Sequence, residues 1–196
     1  MKAVAVLYFF VTVISAGAQN KFEWSENYNL TIDDFRGAGT EVGSGSMYSV
    51  RTAAVIDFSY QMTNAEFMMT KNWNEKVRCT FDRSIAYLVA PDDTIAAALI
   101  SFAQFDFDLA ELHARKLRKA IFEQKKWTSG PSIFLPMYDR VYKEYQDQHV
   151  KVAKATDVGQ DADLLRSYHT EVLAQIDELH DFCRTCKPLK SSRRKN

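Results

Sequence analysis

Residues Ser101–Ile121 read SFAQFDFDLAELHARKLRKAI, and the reading of this stretch decides the fold. It lies within the longest helical pattern of the chain, from Pro91 to about Trp127. Pro91 precedes Asp92, Asp93 and Thr94, residues that suit an N-cap and a first turn. At about 100° per residue, Ile95, Leu99, Phe102, Leu109, Leu117 and Ala120 share one narrow face. Glu111, Arg115 and Arg118 point away from that face. Asp106 and His113 intrude on it. The pattern predicts a core-facing helix with a carboxylate on its apolar stripe, and that carboxylate needs a chemical explanation.

Working outward, the upstream chain reads as strands and the downstream chain as helices. Met47 to Met62 carries β-branched and aromatic residues in partial alternation, which predicts a strand bent in its middle. Thr63-Asn64-Ala65 would turn it into a return strand from Glu66 to Trp73. A third strand follows from Lys76 to Phe81, with Val77, Cys79 and Phe81 on one face. Asp82 to Val89 is ambiguous between strand and short helix. Nearer the start, Thr31 suits the cap of a single turn ended by Gly37, and Gly39 to Ser46 reads as a loop. Beyond the long helix, Thr128-Ser129-Gly130-Pro131 is a break. Helices are then expected over Met137–Val152 and from Asp161 to about Cys183, separated by a loop near Thr156–Gln160. The order is α+β: an antiparallel meander on a long central helix, then two C-terminal helices.

The 196 residues fit one domain with a sizeable core. Lys2, an apolar run from Ala3 to Ile14 and the ending Ser15-Ala16-Gly17-Ala18 describe a cleavable export signal at 1–18. The run is too short to cross a bilayer, so cleavage near Ala18 and a periplasmic or extracellular product are expected, with no membrane span. The domain is placed at 19–183 and a basic, disordered tail at 184–196. Formal net charge is zero, yet that tail holds six basic and no acidic residues, leaving 18 basic against 25 acidic side chains in the body. A tail without interleaved aromatics reads as solvated, and no nucleic-acid partner is expected. Of the cysteines, Cys79, Cys183 and Cys186, any two could pair. Cys183-x-x-Cys186 has redox-like spacing without a βαβ context. A structural disulfide or free thiols is the expected state, and a redox or metal-carrier role the alternative.

The stretch Phe102–Arg118, F-A-Q-F-D-F-D-L-A-E-L-H-A-R-K-L-R, resembles a helix motif similar to H-E-Q-x-H-F-D-I-A-E-L-x-A-R-x-L-R. That motif belongs to the domain-of-unknown-function 922 family of exported bacterial proteins, regarded as predicted zinc-dependent peptidases. Trp24-Ser25 and Leu30-Thr31-Ile32-Asp33-Asp34-Phe35-Arg36-Gly37 resemble the family's W-S and L-T-W-D-D-F-x-G opening. Ala155-Thr156-Asp157-Val158-Gly159 is similar to its E-T-x-H-G segment. The resemblance spans nearly the whole mature chain and implies a zincin-like fold.

The departures decide what that implies for function. In an HExxH helix, two histidines four residues apart bind Zn²⁺ and the glutamate handles the attacking water. Here those positions are Phe102, Ala103 and Asp106, and the third ligand position is Val158. Phenylalanine, alanine and valine neither coordinate zinc nor move protons, and one carboxylate does not replace three protein ligands. The expectation is a degenerate motif: no catalytic residues, no metal, no cofactor, and a pseudoenzyme that binds a protein or peptide partner. The alternative is a divergent hydrolase built around Asp106 with His149, on the apolar face of the following helix, or with His169. His113, two turns from Asp106, reads as a packed histidine, and His169 and His180 as surface or boundary residues. Glu111, about 180° from Phe102, cannot join that face.

Overall fold

The computed structural model describes residues 20–59, 61–126 and 129–188. The expected export signal at 1–18 and residues 189–196 of the expected tail lie outside them. The long helix, α2, runs Asp93–Gln124, about 48 Å at 1.5 Å per residue. Asp92 caps it, its carboxylate accepting from Ile95 N–H at 2.9 Å. The surrounding elements make this helix buried on almost every side, not along one stripe.

Two three-stranded sheets precede it. The first orders β1 (Lys21–Glu23), β5 (Val77–Asp82) and β4 (Ala54–Phe58), all antiparallel, with Phe22 opposite Phe81 and Ile56 opposite Cys79. The second orders β2 (Glu41–Val42), β6 (Tyr87–Ala90) and β3 (Ser49–Arg51), with β2 parallel to β6. The α+β class stands, and the bend predicted within Met47–Met62 is real. It falls at Thr52-Ala53, where the chain leaves the second sheet as β3 and enters the first as β4. Val77, Cys79 and Phe81 are buried as their alternation predicts. Phe81 packs on Phe107 of α2 with ring centroids 5.5 Å apart.

The expected return strand over Glu66–Trp73 is not a strand. Asn64–Met69 forms a short helix, α1, capped by Thr63, whose hydroxyl accepts from Glu66 N–H at 3.1 Å. Asn64–Met69 holds no β-branched residue, and a capped turn buries Phe67 against Trp73 and Phe134 (5.4 and 5.3 Å). The strands therefore form two sheets rather than one continuous meander. Asp82–Val89 resolves into a turn followed by β6.

Two helices complete the core, α3 (Phe134–Ala155) and α4 (Ala162–Glu178), the latter capped by Asp161. A 3-10 turn over His180–Phe182 follows, so α4 ends before Cys183. Both helices pack on α2, as do β4 and β5, and α3 also meets β4, where Tyr138 donates its hydroxyl to Ile56 O at 3.2 Å. The ordered fold also continues past residue 183: Cys183 and Cys186 form a disulfide, and Arg184 pairs with Glu23. Cys79 is free and buried. No described helix is long and apolar enough to cross a membrane.

The opening segment is held by charge. Asp34, 1 % exposed, accepts from Thr31 N–H (2.8 Å), Tyr28 Oη (2.8 Å) and Arg83 Nε (2.7 Å). Burial opposes ionisation of this carboxyl, but the three donors outweigh it and its pKa is lowered. Gly37 donates its N–H to Ala86 O at 2.7 Å, and a Cβ there would lie 2.7 Å from that same oxygen. Only glycine allows the approach.

Candidate functional site

Asp106, fully buried, sits where α2 crosses α3. Its Oδ1 accepts from Tyr145 Oη at 2.9 Å and from His149 Nδ1 at 2.6 Å. Tyr145 and His149 lie one helical turn apart on α3, which is why both reach one carboxylate. Oδ2 is buried and has no hydrogen-bond partner among the described residues. The Asp106 hydrogen bond raises the His149 pKa against the opposing effect of burial. Burial, then the Asp106 charge, holds the Tyr145 hydroxyl well above the usual tyrosine range. Both groups therefore converge on a single carboxylate oxygen.

Phe102 lies one turn earlier on α2, its ring edge-on to His149 at 5.5 Å. Phe102 is 2 % exposed, and Ala103 is fully buried. The loop between α3 and α4 seats on this same turn. A Cβ on Gly159 would lie 2.5 Å from Ala98 O and 3.1 Å from Phe102 Cβ. Val158, partly buried against the core, has φ +54°, the left-handed region that β-branched residues rarely adopt. Thr156 shapes the loop, donating its hydroxyl to Val152 O at 2.8 Å and accepting from Gly159 N–H at 3.1 Å. Phe102, Ala103, Asp106 and Val158, the four positions singled out by the sequence resemblance, therefore belong to one packed neighbourhood. Phe102, Ala103 and Val158 offer no donor atom, so the residues present do not fit a zinc ion. Among the described residues no three His, Cys, Asp or Glu side chains converge as a metal cluster. No serine or cysteine among them is hydrogen-bonded to His149.

His169 does not join Asp106, nor is it merely a boundary residue. Its Nε2 meets Asp108 Oδ2 at 2.7 Å, with its ring edge-on to Phe105. Asp108, 4 % exposed, also accepts from Trp24 Nε1 (2.6 Å) and Gln104 Nε2 (3.0 Å). Gln104 in turn accepts from Leu30 N–H at 2.8 Å, tying the opening segment to α2. This second carboxylate was missed because Asp108 falls off the Phe102 face, though its i,i+4 relation to Gln104 was visible. His169 stands between two grooves. One, about 580 Å³, runs along Ala97, Ala98, Ser101 and Gln104 to Leu165. The other, about 610 Å³, is walled by Trp24, Asp108, Arg115 and both disulfide cysteines.

Glu111, Arg115 and Arg118 point away from Phe102 as predicted, yet they are buried. Glu111 pairs with Arg115 Nε at 2.9 Å and Arg118 Nη1 at 2.8 Å. Arg118 also donates to Val77 O and Phe182 O, and Arg115 to Ile176 O, so the network joins the sheet to the C-terminal turns. His113 is a packed histidine, with Nε2 3.3 Å from Gln148 Oε1. Burial, with Lys116 nearby, lowers its pKa to about 4. His180 is exposed. No family model, curated protein or solved structure matches the chain.

Proposed function

We propose that this chain is an exported, non-catalytic relative of the zinc-dependent peptidases of the domain-of-unknown-function 922 family, acting as a binding module for a protein or peptide. The observation that carries this reading is the filled turn of α2. Phe102 occupies the volume between α2, His149 and the Gly159 loop, where two imidazoles, a metal ion and its water would need to stand. Two features support the resemblance behind it. Residues that match the family pattern meet one another: Trp24 bonds Asp108, Gln104 bonds Leu30, and Glu111 bonds Arg115 and Arg118. The Val158 conformation, φ +54°, is also one that histidine adopts more readily than valine.

Metal analysis of the untagged protein is the test. Zinc well below one equivalent is expected, with the fold unchanged by a chelator. Stoichiometric zinc whose removal abolishes folding or a hydrolytic activity would overturn the proposal. The alternative hydrolase around Asp106 and His149 has their 2.6 Å contact in its favour. Its carboxylate is sealed beneath Phe102 and Tyr145, however, which favours a structural pair.

A further inference from the structure

The Cys183–Cys186 bond closes a ring across three residues and joins no distant elements. On loop-closure grounds such a short cross-link removes little unfolded-state entropy, so fold stabilisation is a poor account of it. The long-range anchoring is done by Asn74 instead. This amide, 2 % exposed, reaches Asp181 O (3.3 Å), Cys183 O (3.1 Å) and Cys186 O (3.1 Å). Cys186 N–H donates to Cys183 O at 3.1 Å, and Arg184 pairs with Glu23. These noncovalent contacts hold the turn, so they would keep the two sulfurs together after the bond is cut. Both cysteines are half-buried and wall the groove of about 610 Å³. The Thr185 hydroxyl lies 3.6 Å from Cys183 Sγ. A disulfide sulfur carries no proton, so that hydroxyl is the donor, and it is placed to stabilise a thiolate on Cys183.

We propose that Cys183–Cys186 is a thiol–disulfide exchange couple that takes electrons from a peptide dithiol entering this groove. The first substrate thiolate attacks Cys186 Sγ. A substrate–Cys186 disulfide forms, the Cys183–Cys186 bond breaks, and the electron pair leaves on Cys183 Sγ beside Thr185. The second substrate thiolate then attacks its own sulfur in the mixed disulfide and expels Cys186 as a thiolate. The substrate is oxidised by two electrons to a disulfide, the protein is reduced to a dithiol, and the two substrate protons pass through solvent to the new thiols. This inference does not depend on the loss of peptidase chemistry.

The test equilibrates the full folded chain with graded mixtures of reduced and oxidised glutathione, a monothiol probe of the same sulfur chemistry. Thiol alkylation and peptide mapping count the free cysteines and locate the mixed disulfide. Reversible reduction with the far-ultraviolet circular dichroism unchanged is expected, with the trapped glutathione on Cys186. Thr185→Val should slow exchange about two- to tenfold, the worth of one hydrogen bond, and Thr185→Ser should restore it. Reduction that occurs only when the protein unfolds would overturn the proposal, as would glutathione trapped chiefly on Cys183. A Thr185→Val rate equal to the native one would remove the assigned leaving group.

Discussion

Replacing Gly159 by alanine probes the contact on which the candidate site depends. Gly159 has φ +95°, and its missing Cβ would lie 2.5 Å from Ala98 O, a backbone atom that cannot rotate away. Two costs follow. The left-handed conformation of a residue with a Cβ costs about 1–2 kcal/mol. Restoring ordinary contact requires the loop to retreat from α2 by roughly 1 Å, an overpacking strain of about 1–3 kcal/mol. A loss near 3 kcal/mol should lower Tm by about 6–12 °C for a chain of this size. Gly39→Ala supplies the control. Gly39 has φ +97° with nothing within 4 Å, so it carries the dihedral cost without the contact. Thermal melts of both variants by circular dichroism measure the difference. Equal Tm losses, to within about 1 °C, would mean the loop does not seat on the Phe102 turn, and the filled-site argument would fall with it.

Other perturbations test the remaining groups. Removing Asp106 alone as Asp106→Leu should destabilise by about 3 kcal/mol or more, because the Tyr145 hydroxyl and His149 lose their shared acceptor. Adding Tyr145→Phe should recover about 1–2 kcal/mol of that in urea titrations, and strict additivity would refute the coupling. The two perturbed histidines give opposite pH effects. His113 has a folded pKa lowered to about 4, so the unfolded chain binds the extra proton and stability falls as pH drops from 6.5 towards 4. Of the roughly 3 kcal/mol that the whole shift represents, about 2 kcal/mol falls between pH 7 and pH 5, and this difference in urea-derived stability should be absent in His113→Leu. His149, whose pKa is raised, contributes stability that is fully present below 6.5 and is lost as pH rises through its folded pKa. Val158→Asn should raise stability by about 0.5–1 kcal/mol by relieving the left-handed valine, and a lower Tm would show that its packing outweighs the strain. Finally, Phe102→His, Ala103→Glu, Asp106→His and Val158→His together should bind zinc in dialysis while the native chain does not. Failure of a folded quadruple variant to bind would weaken the proposed kinship with metal-binding relatives.

Legibility in the sequence followed the range of the interaction concerned. The start of α2, the single turn begun at Thr31, the burial of Val77, Cys79 and Phe81, and the bend in Met47–Met62 were all readable. Each is set by contacts within a few residues or by simple periodicity. Glu66–Trp73 was misread because a capped turn and a strand carry similar apolar spacing over so short a run. The candidate site was half legible. Asp106 stood out as a carboxylate on an apolar stripe, and His149 shared an apolar face, so their meeting was a natural expectation. The partnership of Asp108 with His169 and Trp24 was not readable, since it joins residues 61 and 84 positions apart.

By itself, then, the sequence determined the class of fold, the central helix and the lack of any metal-donor atom on the side chains of Phe102, Ala103 and Val158. These follow from side-chain chemistry and helical period, which need no knowledge of neighbours. The tertiary structure alone decided that α2 is enclosed on several sides, so that Glu111, Arg115 and Arg118 are buried rather than solvated. It also decided that Asp106 shares one oxygen between Tyr145 and His149, and that Cys183 pairs with Cys186 while Cys79, on β5, is buried against α2. Burial and pairing depend on which surfaces the chain brings together, and a helical wheel records only the direction in which each side chain leaves the axis.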